Sequence, residues 1–287
     1  MKSKITMNRK KSDIAIIVVT YNPDISVLSN VLTELDAYND IYISDNGSNN
    51  FEDIYKISLQ YRNVFLINNR ENVGIGVAQN VALDQILKQE KYRFTFYLDQ
   101  DSFVRENVLQ KLKKEYLKLL EKNIKVGSIS VVEHSIDNKP CHFEFVNQTI
   151  SSGMLIPVKV LKQVGNMYGE LFIDWIDYEW CWRAKKNGFK IVRDNECFFQ
   201  HEIGTDERVL GKIPPAPFRL YYVYRNIIIL MADHKTLDHS NMKWGLFKQF
   251  IFNTVFCPNR LQRVKYIIWG IKDGKKRVLG KNTKISG

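Results

Sequence analysis

The chain is poor in cysteine and lacks any long apolar run. Its four cysteines are scattered among 287 residues without Cys-x-x-Cys spacing, which indicates buried thiols in a reducing, cytoplasmic compartment. Uncharged stretches such as those near residues 227–232 and 249–259 are far shorter than the ~20 apolar residues that span a bilayer. The basic first twelve residues are not followed by an apolar run of the signal-peptide type, so we expect no signal peptide.

Acidic residues are nearly absent from both ends of the chain. Residues 1–12 carry five Lys or Arg and no acid, and residues 241–287 carry eleven Lys or Arg and one acid. The segment between them is therefore net negative, although the whole chain has a net charge of +11. This segregation indicates an anionic partner, either membrane headgroups or nucleic acid. A solvated tail is an equally good explanation for the first twelve residues.

The chain also lacks internal repeats and low-complexity linkers. Its composition, 45% hydrophobic and 25% charged, is typical of a soluble, enzyme-sized protein with one α/β core and an appendage. Short β-rich runs alternate with helical runs up to residue 121, which predicts a parallel sheet with right-handed crossovers. The predicted strands span 14–20, 41–44, 64–67 and 94–98, and the helices that follow them span 25–35, 51–61, 77–88 and 106–121. Polar turns follow each strand, where such sheets bind their ligands.

The fourth predicted strand ends in two carboxylates. Asp99 and Asp101 point to the same side of an extended chain, because side chains alternate along a strand. Carboxylates that are presented together bind Mg²⁺ or Mn²⁺ mainly when a phosphate supplies further oxygen ligands. The pattern favours a divalent cation and a phosphate-bearing ligand, although a turn or a helix cap is the ordinary role of such a pair.

Seven short motifs occur in one order between residues 13 and 233. They are VVTYNP at 18–23, DNGS at 45–48, NVGIG with QN at 72–80, LDQD at 98–101, SGML at 152–155, FIDW with DYE at 172–179, and His201. Together they resemble the motifs of family 2 glycosyltransferases, and of bacterial dTDP-rhamnose-dependent rhamnosyltransferases in particular. The resemblance implies a GT-A fold with a Rossmann-like, mostly parallel sheet flanked by helices. The catalytic domain would span 13–235, and a basic amphipathic helical extension would span 236–287.

The resemblance also implies roles for individual residues. The nucleotide-sugar would be bound by Thr20, Tyr21, Asn22, Asp45, Asn72, Gly74, Gln79, Asp99 and Arg183. A divalent cation, Mn²⁺ or Mg²⁺, would be held by Asp99, Asp101 and His201. The base that takes the proton from the acceptor hydroxyl would be Asp177. The acceptor side would be formed by Gly153, Asp174, Trp175, Tyr222 and Arg225.

The chemistry agrees with these roles. Sugar transfer from a nucleotide diphosphate requires neutralisation of the departing diphosphate and deprotonation of an alcohol, which a cation and a carboxylate supply. Asp177 lies between Trp175 and Trp180 in the sequence, an aromatic setting that raises a carboxyl pKa, whereas nearby Arg183 opposes the rise. A single displacement would invert the anomeric centre.

Ordinary structural roles compete with several of these assignments. Asp174 and Glu179 compete with Asp177 as the base, and Glu179 and Arg183 have the i, i+4 spacing of a helical ion pair. For Asp45, the base-binding role competes with that of a turn residue. Entry-loop, packing or core roles stay open for residues 72–76, Gly153, His201, Tyr222 and Arg225.

The predicted helical extension at 236–287 combines aromatic residues with basic charge. Apolar residues recur near helical spacing from 244 to 255 and from 261 to 271. A basic amphipathic helix pair favours the membrane interface, and packing onto the catalytic domain or onto a second subunit is the alternative. Residues 204–217 are either a lid over the donor diphosphate or a long connection.

These observations predict a metal-dependent, inverting glycosyltransferase at the inner face of the cell membrane, where it transfers L-rhamnose from dTDP-rhamnose to a lipid-linked cell-surface polysaccharide. Another donor sugar (galactofuranose, N-acetylglucosamine or glucose) is the alternative within the class. A nucleotidyltransferase is disfavoured by the acidic, aromatic cluster at 174–179. The basic ends alone suggest a nucleic-acid-binding module, and we expect no nucleic acid partner. Homo-oligomerisation stays open.

Overall fold

The structure is a computed structural model that describes residues 12–35, 39–132, 142–199, 209–233, 235–237 and 239–285. His201 and Cys141 lie outside these residues, as does part of the predicted lid at 204–217. The three cysteines within them are unpaired and buried. Burial of these thiols agrees with the expectation drawn from their spacing.

Within the described residues, eight strands form one sheet in the order β3-β2-β1-β4-β7-β5-β8-β6. Their bounds are β1 (Ile14–Thr20), β2 (Asp40–Asp45), β3 (Val64–Asn68), β4 (Phe94–Asp99), β5 (Val126–Val132), β6 (Phe143–Val146), β7 (Met154–Pro157) and β8 (Lys190–Phe198). The pairs β3-β2, β2-β1, β1-β4 and β5-β8 are parallel. β7 runs antiparallel to β4 and β5, and β6 runs antiparallel to β8. The mostly parallel sheet is confirmed, and the two antiparallel strands are additions that the alternation rule did not predict.

Helices cover both faces of the sheet. They are α1 (Ile25–Leu35), α2 (Phe51–Ser58), α3 (Ile75–Leu87), α4 (Glu106–Glu121), α5 (Val158–Val164), α6 (Ile176–Lys186), α7 (Arg219–Ala232), α8 (His239–Ile251) and α9 (Arg260–Lys275). A π-helical segment, Phe252–Phe256, follows α8. Alternate side chains of β1 enter two different cores: Ile14, Ile16 and Val18 enter one, and Ala15 and Ile17 enter the other. Burial on both faces explains why β1 is apolar throughout.

The C-terminal helix α9 packs on α7 through its inner face. α9 lies so close to α7 that a Cβ at Gly270 would be 2.3 Å from the Tyr221 carbonyl oxygen, and one at Gly274 would be 2.8 Å from the Arg225 carbonyl oxygen. Glycine permits this backbone approach. Packing onto the domain, the alternative to membrane contact, is therefore observed for this inner face.

The outer faces of α8 and α9 expose large apolar side chains. Trp244 and Phe247 are more than half exposed and stack with ring centroids 5.5 Å apart. Leu261 is 89% exposed. Among the described residues, no helix is long and apolar enough to cross a membrane.

Candidate active site

A cavity of about 930 Å³ lies at the carboxyl ends of β1 and β4. Its walls come from the loops after these strands, the loop before β7, the start of α6, and α7. The sheet rule for ligand sites predicts this position. Four of the predicted carboxylates line the cavity: Asp99, Asp101, Asp174 and Asp177.

The predicted metal-binding pair lies in the cavity wall. Burial raises the pKa of Asp99 to about 6, and repulsion from Asp101 adds to the rise, whereas a hydrogen bond with Ser152 and the charge of Arg219 oppose it. No described residue forms an ion pair with either carboxylate. Two hard oxygen donors that repel each other without a paired cation fit a divalent cation.

The described residues do not supply a complete set of protein ligands for a metal ion. The described part of the chain contains no group of three or more His, Cys, Asp or Glu side chains that could hold a metal ion. The predicted third ligand, His201, is outside that part. Asp99 and Asp101 would therefore leave positions for ligands from the substrate or from water.

Asp177 lies in the first turn of α6, in the same cavity wall. Its carboxylate accepts hydrogen bonds from the backbone N–H of Ser151 (3.2 Å) and of Tyr178 (2.9 Å). Burial raises its pKa to about 6 despite these bonds, and the charge of Asp174 adds to the rise. The raised pKa agrees with the expectation for a general base.

Within the described residues, Asp174, unlike Asp177, forms an ion pair. It forms an ion pair with Arg219 through Nη2, and Arg219 Nε also donates to it at 3.3 Å. Because its charge is already paired, Asp174 is the less suitable base. This contrast separates two acids that the sequence alone left in competition.

The loop that leads to Asp177 has an unusual backbone. Phe172, Asp174 and Trp175 all have positive φ angles, between 66° and 70°. Such conformations cost about 1–3 kcal/mol each and persist only where contacts fix them. Here Asn226 Nδ2 lies within hydrogen-bond distance of three loop carbonyls, at 2.7–3.0 Å, and the Trp175 indole donates to the Val223 carbonyl at 3.0 Å. α7 therefore holds this loop.

On the donor side, predicted residues Tyr21, Asn72, Gly74 and Gln79 line the cavity. Gly74 has a φ of 89°, and a Cβ there would lie 2.6 Å from the Phe172 carbonyl oxygen. That oxygen accepts a hydrogen bond from the backbone N–H at the start of α3 (2.9 Å). The glycine therefore joins the entry of α3 to the loop before Asp177.

Three other residues predicted for the donor side do not line the cavity. Asp45 is fully buried and accepts four hydrogen bonds, from the Thr20 hydroxyl, the Ser48 hydroxyl and the backbone N–H groups of Gly47 and Ser48. These are the hydrogen bonds of a turn residue, and binding of the base by Asp45 stays a prediction. Thr20 faces Asp45, and Asn22 receives the Asn49 N–H (2.7 Å); neither lines the cavity.

Arg183 also lies away from the cavity. It pairs with Glu179 at 2.9 Å and donates to the carbonyls of Val164 and Asn166. Its donors are thus occupied within the α5–α6 region. The helical ion pair, which the sequence left open, is observed.

On the acceptor side, Asp174, Trp175 and Tyr222 line the cavity, whereas Gly153 and Arg225 do not. Gly153 is a packing residue, because a Cβ there would lie 2.3 Å from the Val131 side chain. Arg225 is fully buried, and it donates to the carbonyls of Leu171 and Gly280. Its role is to connect backbone segments.

Sequence reasoning missed several cavity residues. Arg219 had no predicted role, because its pairing with Asp174 depends on the fold. Ser151 and Ser152 precede β7, where only Gly153 was assigned a role. The last group had no local signal, because it comes from the C-terminal region: Gln249, Lys281, Thr283 and Ile285.

Comparison with known proteins identifies the chemistry. The model for Glycosyl transferase family 2 matches residues 15–150, which include β1 to β4 and the Asp99–Asp101 turn. The chain carries a family 2 glycosyltransferase domain. This glycosyltransferase is 27% identical over 295 residues to the dTDP-rhamnosyl transferase RfbF of Shigella flexneri, covering 94% of this chain and 97% of RfbF.

Solved structures share the fold of the glycosyltransferase. S. aureus TarS 1–349 in complex with UDP-GlcNAc has a TM-score of 0.55 at 17% identity, covering 92% of this chain and 81% of that chain. The mannosyltransferase PcManGT from Pyrobaculum calidifontis, in complex with GDP-Man and Mn²⁺, has a TM-score of 0.57 at 11% identity, covering 93% and 76%. These similarities confirm the GT-A fold.

Proposed function

We propose that this glycosyltransferase transfers L-rhamnose from dTDP-rhamnose to a lipid-linked cell-surface glycan, with inversion and with a divalent metal ion. The observation that carries the proposal is the convergence of Asp177 and the Asp99–Asp101 pair on one cavity. The similarity to RfbF supports the rhamnose donor. The nucleotide-sugar complexes of TarS and PcManGT support a nucleotide-sugar donor in general.

Asp177 is the base in this mechanism. Its carboxylate, with a pKa raised to about 6, takes the proton from the acceptor hydroxyl as that oxygen attacks the anomeric carbon. The bond from that carbon to the diphosphate breaks in the same displacement, so the configuration inverts. The backbone N–H groups of Ser151 and Tyr178 hold the carboxylate in place.

Asp99 and Asp101 hold the metal ion in this proposal, with His201 as the third predicted ligand. A bound Mn²⁺ or Mg²⁺ supplies positive charge that stabilises the departing diphosphate. A bound cation would relieve the mutual repulsion of the two carboxylates. The Mn²⁺ complex of PcManGT supports the same choice of metal.

Gln79 orients the donor. It lines the cavity and is 4% exposed, and within the described residues its Oε1 has no hydrogen-bond partner. Its Nε2 donates to the Ser151 hydroxyl at 3.2 Å. A buried acceptor without a partner costs about 1–3 kcal/mol, which a hydroxyl of the bound substrate would recover.

A lipid-linked acceptor agrees with the exposed outer faces of α8 and α9. The apolar side chains of Trp244 and Phe247 lie beside Lys248, whose Nζ is 5.2 Å from the Trp244 ring centroid. Aromatic and basic side chains together bind anionic membrane interfaces. Gln249, on the same helix, lines the cavity, so α8 extends from the cavity to this surface.

A panel of donors tests the proposal. With Mn²⁺ present, release of nucleoside diphosphate should be fastest from dTDP-rhamnose, and EDTA should abolish it. Faster release from UDP-GlcNAc or GDP-mannose would replace rhamnose as the donor sugar. Full activity in EDTA would remove the metal from the mechanism.

Asp101→Asn is the matched variant for the metal. It should lose Mn²⁺-dependent affinity for dTDP while remaining folded, because Asp101 is exposed and its loss leaves no cavity. Asp53→Asn, which changes an exposed carboxylate on α2, is the control. Calorimetry that shows unchanged affinity in Asp101→Asn would remove that residue from the site.

A further inference from the structure

The C-terminal end of the described chain forms part of the active-site cavity. Lys281, Thr283 and Ile285 line it together with Tyr222 and Phe172. Ile285 is 6% exposed and belongs to the same apolar cluster as those two rings, which stack with centroids 5.0 Å apart. We call residues 280–285 the C-terminal segment.

Specific hydrogen bonds fix the C-terminal segment at both sides of Lys281. The Gly280 N–H donates to the Glu170 carbonyl at 2.8 Å, and the Gly280 carbonyl accepts from Arg225 Nη1. The Asn282 N–H donates to the Tyr222 hydroxyl oxygen at 3.1 Å. Arg225 Nη2 also donates to the Leu171 carbonyl at 2.7 Å. One arginine therefore ties the segment to the loop that carries Asp174 and leads to Asp177.

Lys281 supplies positive charge to an acidic cavity. Four carboxylates line the cavity, and the basic side chains among its described lining residues are Arg219 and Lys281. Arg219 is paired with Asp174. No described residue forms an ion pair or a hydrogen bond with the Lys281 ammonium group. Lys281 is thus the cation of the described wall that is left to bind a ligand anion.

We propose that the C-terminal segment is a substrate-binding element in which Lys281 binds a phosphate group. The inference rests on the proposed function, because both of its substrates carry phosphate: the nucleotide-sugar donor and the lipid-linked acceptor. An ammonium group is a point charge that binds phosphate without a fixed geometry. Hydrogen bonds of Gly280 and Asn282 fix the backbone on both sides of Lys281, so only the Lys281 side chain moves to the ligand.

Two phosphate-bearing probes distinguish the two sources. Calorimetry with dTDP and Mn²⁺ reports the donor phosphates, and calorimetry with farnesyl diphosphate reports a prenyl diphosphate acceptor. Lys281→Met should weaken one of the two probes by about tenfold or more, the size of a lost charge-assisted hydrogen bond. Lys281→Arg, which keeps the charge, should stay within about threefold of the unmodified protein.

Lys284→Met is the control, because Lys284 is also exposed but does not line the cavity. It should bind both probes as the unmodified protein does, and all variants should have the same melting temperature. Weaker dTDP binding in Lys281→Met assigns the donor phosphate, and weaker farnesyl diphosphate binding assigns the acceptor phosphate. Unchanged affinity for both probes would overturn the proposal while the proposed function stands. If the unmodified protein binds no nucleotide, the proposed function fails with it.

Discussion

At the scale of single residues, burial and pairing give neighbouring acids different chemistry. Asp174 and Asp177 are three positions apart and face one cavity, yet the first is paired with Arg219 and the second has only backbone N–H donors. Desolvation without a counter-charge raises a carboxyl pKa. The structure therefore distinguishes the proposed base from an acid that holds α7 to the loop.

The raised pKa of Asp177 predicts a pH-dependent loss of stability. Its pKa is about 6 in the folded protein and near 3.8 in the unfolded chain, so the folded state keeps a proton that the unfolded state has released. Stability therefore falls as pH rises from about 4 through about 6, by roughly 1–3 kcal/mol for this group. Asp177→Asn removes the titration.

Chemical denaturation at pH 4.5 and at pH 7.5 checks this prediction. Relative to the unmodified protein, Asp177→Asn should gain unfolding free energy between the two pH values by about that amount. Asp174→Asn serves as the comparison, since it leaves the titration of Asp177 in place. Equal pH dependence in Asp177→Asn and the unmodified protein would show that Asp177 has an ordinary pKa.

At the scale of elements, α7 is the part that assembles the site. It ties the positive-φ loop through Asn226, pairs Asp174 through Arg219, and anchors the C-terminal segment through Arg225. The loop and the chain end are separated by more than a hundred residues in sequence. A helix that contacts both fixes their relative position.

Asn226→Ala should therefore impair catalysis as well as stability. It removes the amide that bonds the loop carbonyls, and we expect a loss of about 2–3 kcal/mol in unfolding free energy. Since the loop then positions Asp177 less well, kcat should fall at least about tenfold while dTDP affinity changes little. Thermal unfolding and steady-state kinetics measure the two effects.

The control for the predicted kcat loss of Asn226→Ala is Asn253→Ala. Asn253 is also fully buried, but it bonds the Gln249 carbonyl and Arg263 within the C-terminal helices. It should lose comparable stability and keep a kcat close to that of the unmodified protein. A similar kcat loss in both variants would mean that general destabilisation, rather than loop geometry, lowers activity.

Local sequence pattern predicted the helices and strands better than it predicted which strands pair. The bounds of α1 and α4 agree with the sequence expectation, because apolar spacing and turn residues define such helices. The antiparallel direction of β7 and the existence of β6 were not predicted, since partners distant in sequence decide them. The π-helical turn after α8 interrupts a spacing that reads as one continuous helix.

Local sequence pattern likewise identified some site residues, whereas others depended on contacts between distant parts of the chain. Asp99, Asp101 and Asp177 could be found from local pattern and motif order, and all three line the cavity. The turn role of Asp45 was open in the sequence, because Asp-Asn-Gly-Ser also makes a tight turn, and only the fold shows the hydrogen bonds that its carboxylate accepts. Lys281 had no motif, because its position depends on contacts across the molecule.

At the scale of the whole molecule, basic charge and exposed apolar side chains coincide on the C-terminal helices. Deletion of this region would expose the core, because Ile267 of α9 is fully buried against α7 residues such as Leu220. Point substitutions on the outer faces are therefore the appropriate test of membrane contact. Trp244, Phe247 and Leu261 are large apolar side chains there that are each more than half exposed.

The triple variant Trp244→Ser, Phe247→Ser and Leu261→Ser should lose binding to anionic liposomes. The unmodified protein should co-sediment with them at low salt and less so at high salt, because each nearby Lys or Arg contributes about 1 kcal/mol that salt screens. Leu59→Ser, at a 66% exposed position beside α2, is the control and should sediment like the unmodified protein. Equal sedimentation of the triple variant would refute membrane contact through this surface.

The central claim is that Asp177 acts as the base of a metal-dependent sugar transfer, and dTDP release from dTDP-rhamnose tests it most directly. With Mn²⁺ present, Asp177→Asn should turn over at least about a thousandfold more slowly, while its affinity for dTDP stays within a few-fold. Asp174→Asn should be less impaired, because it loses an ion pair and not the base. If Asp177→Asn turned over normally while Asp174→Asn were inactive, the base would be Asp174 and the account would be contradicted.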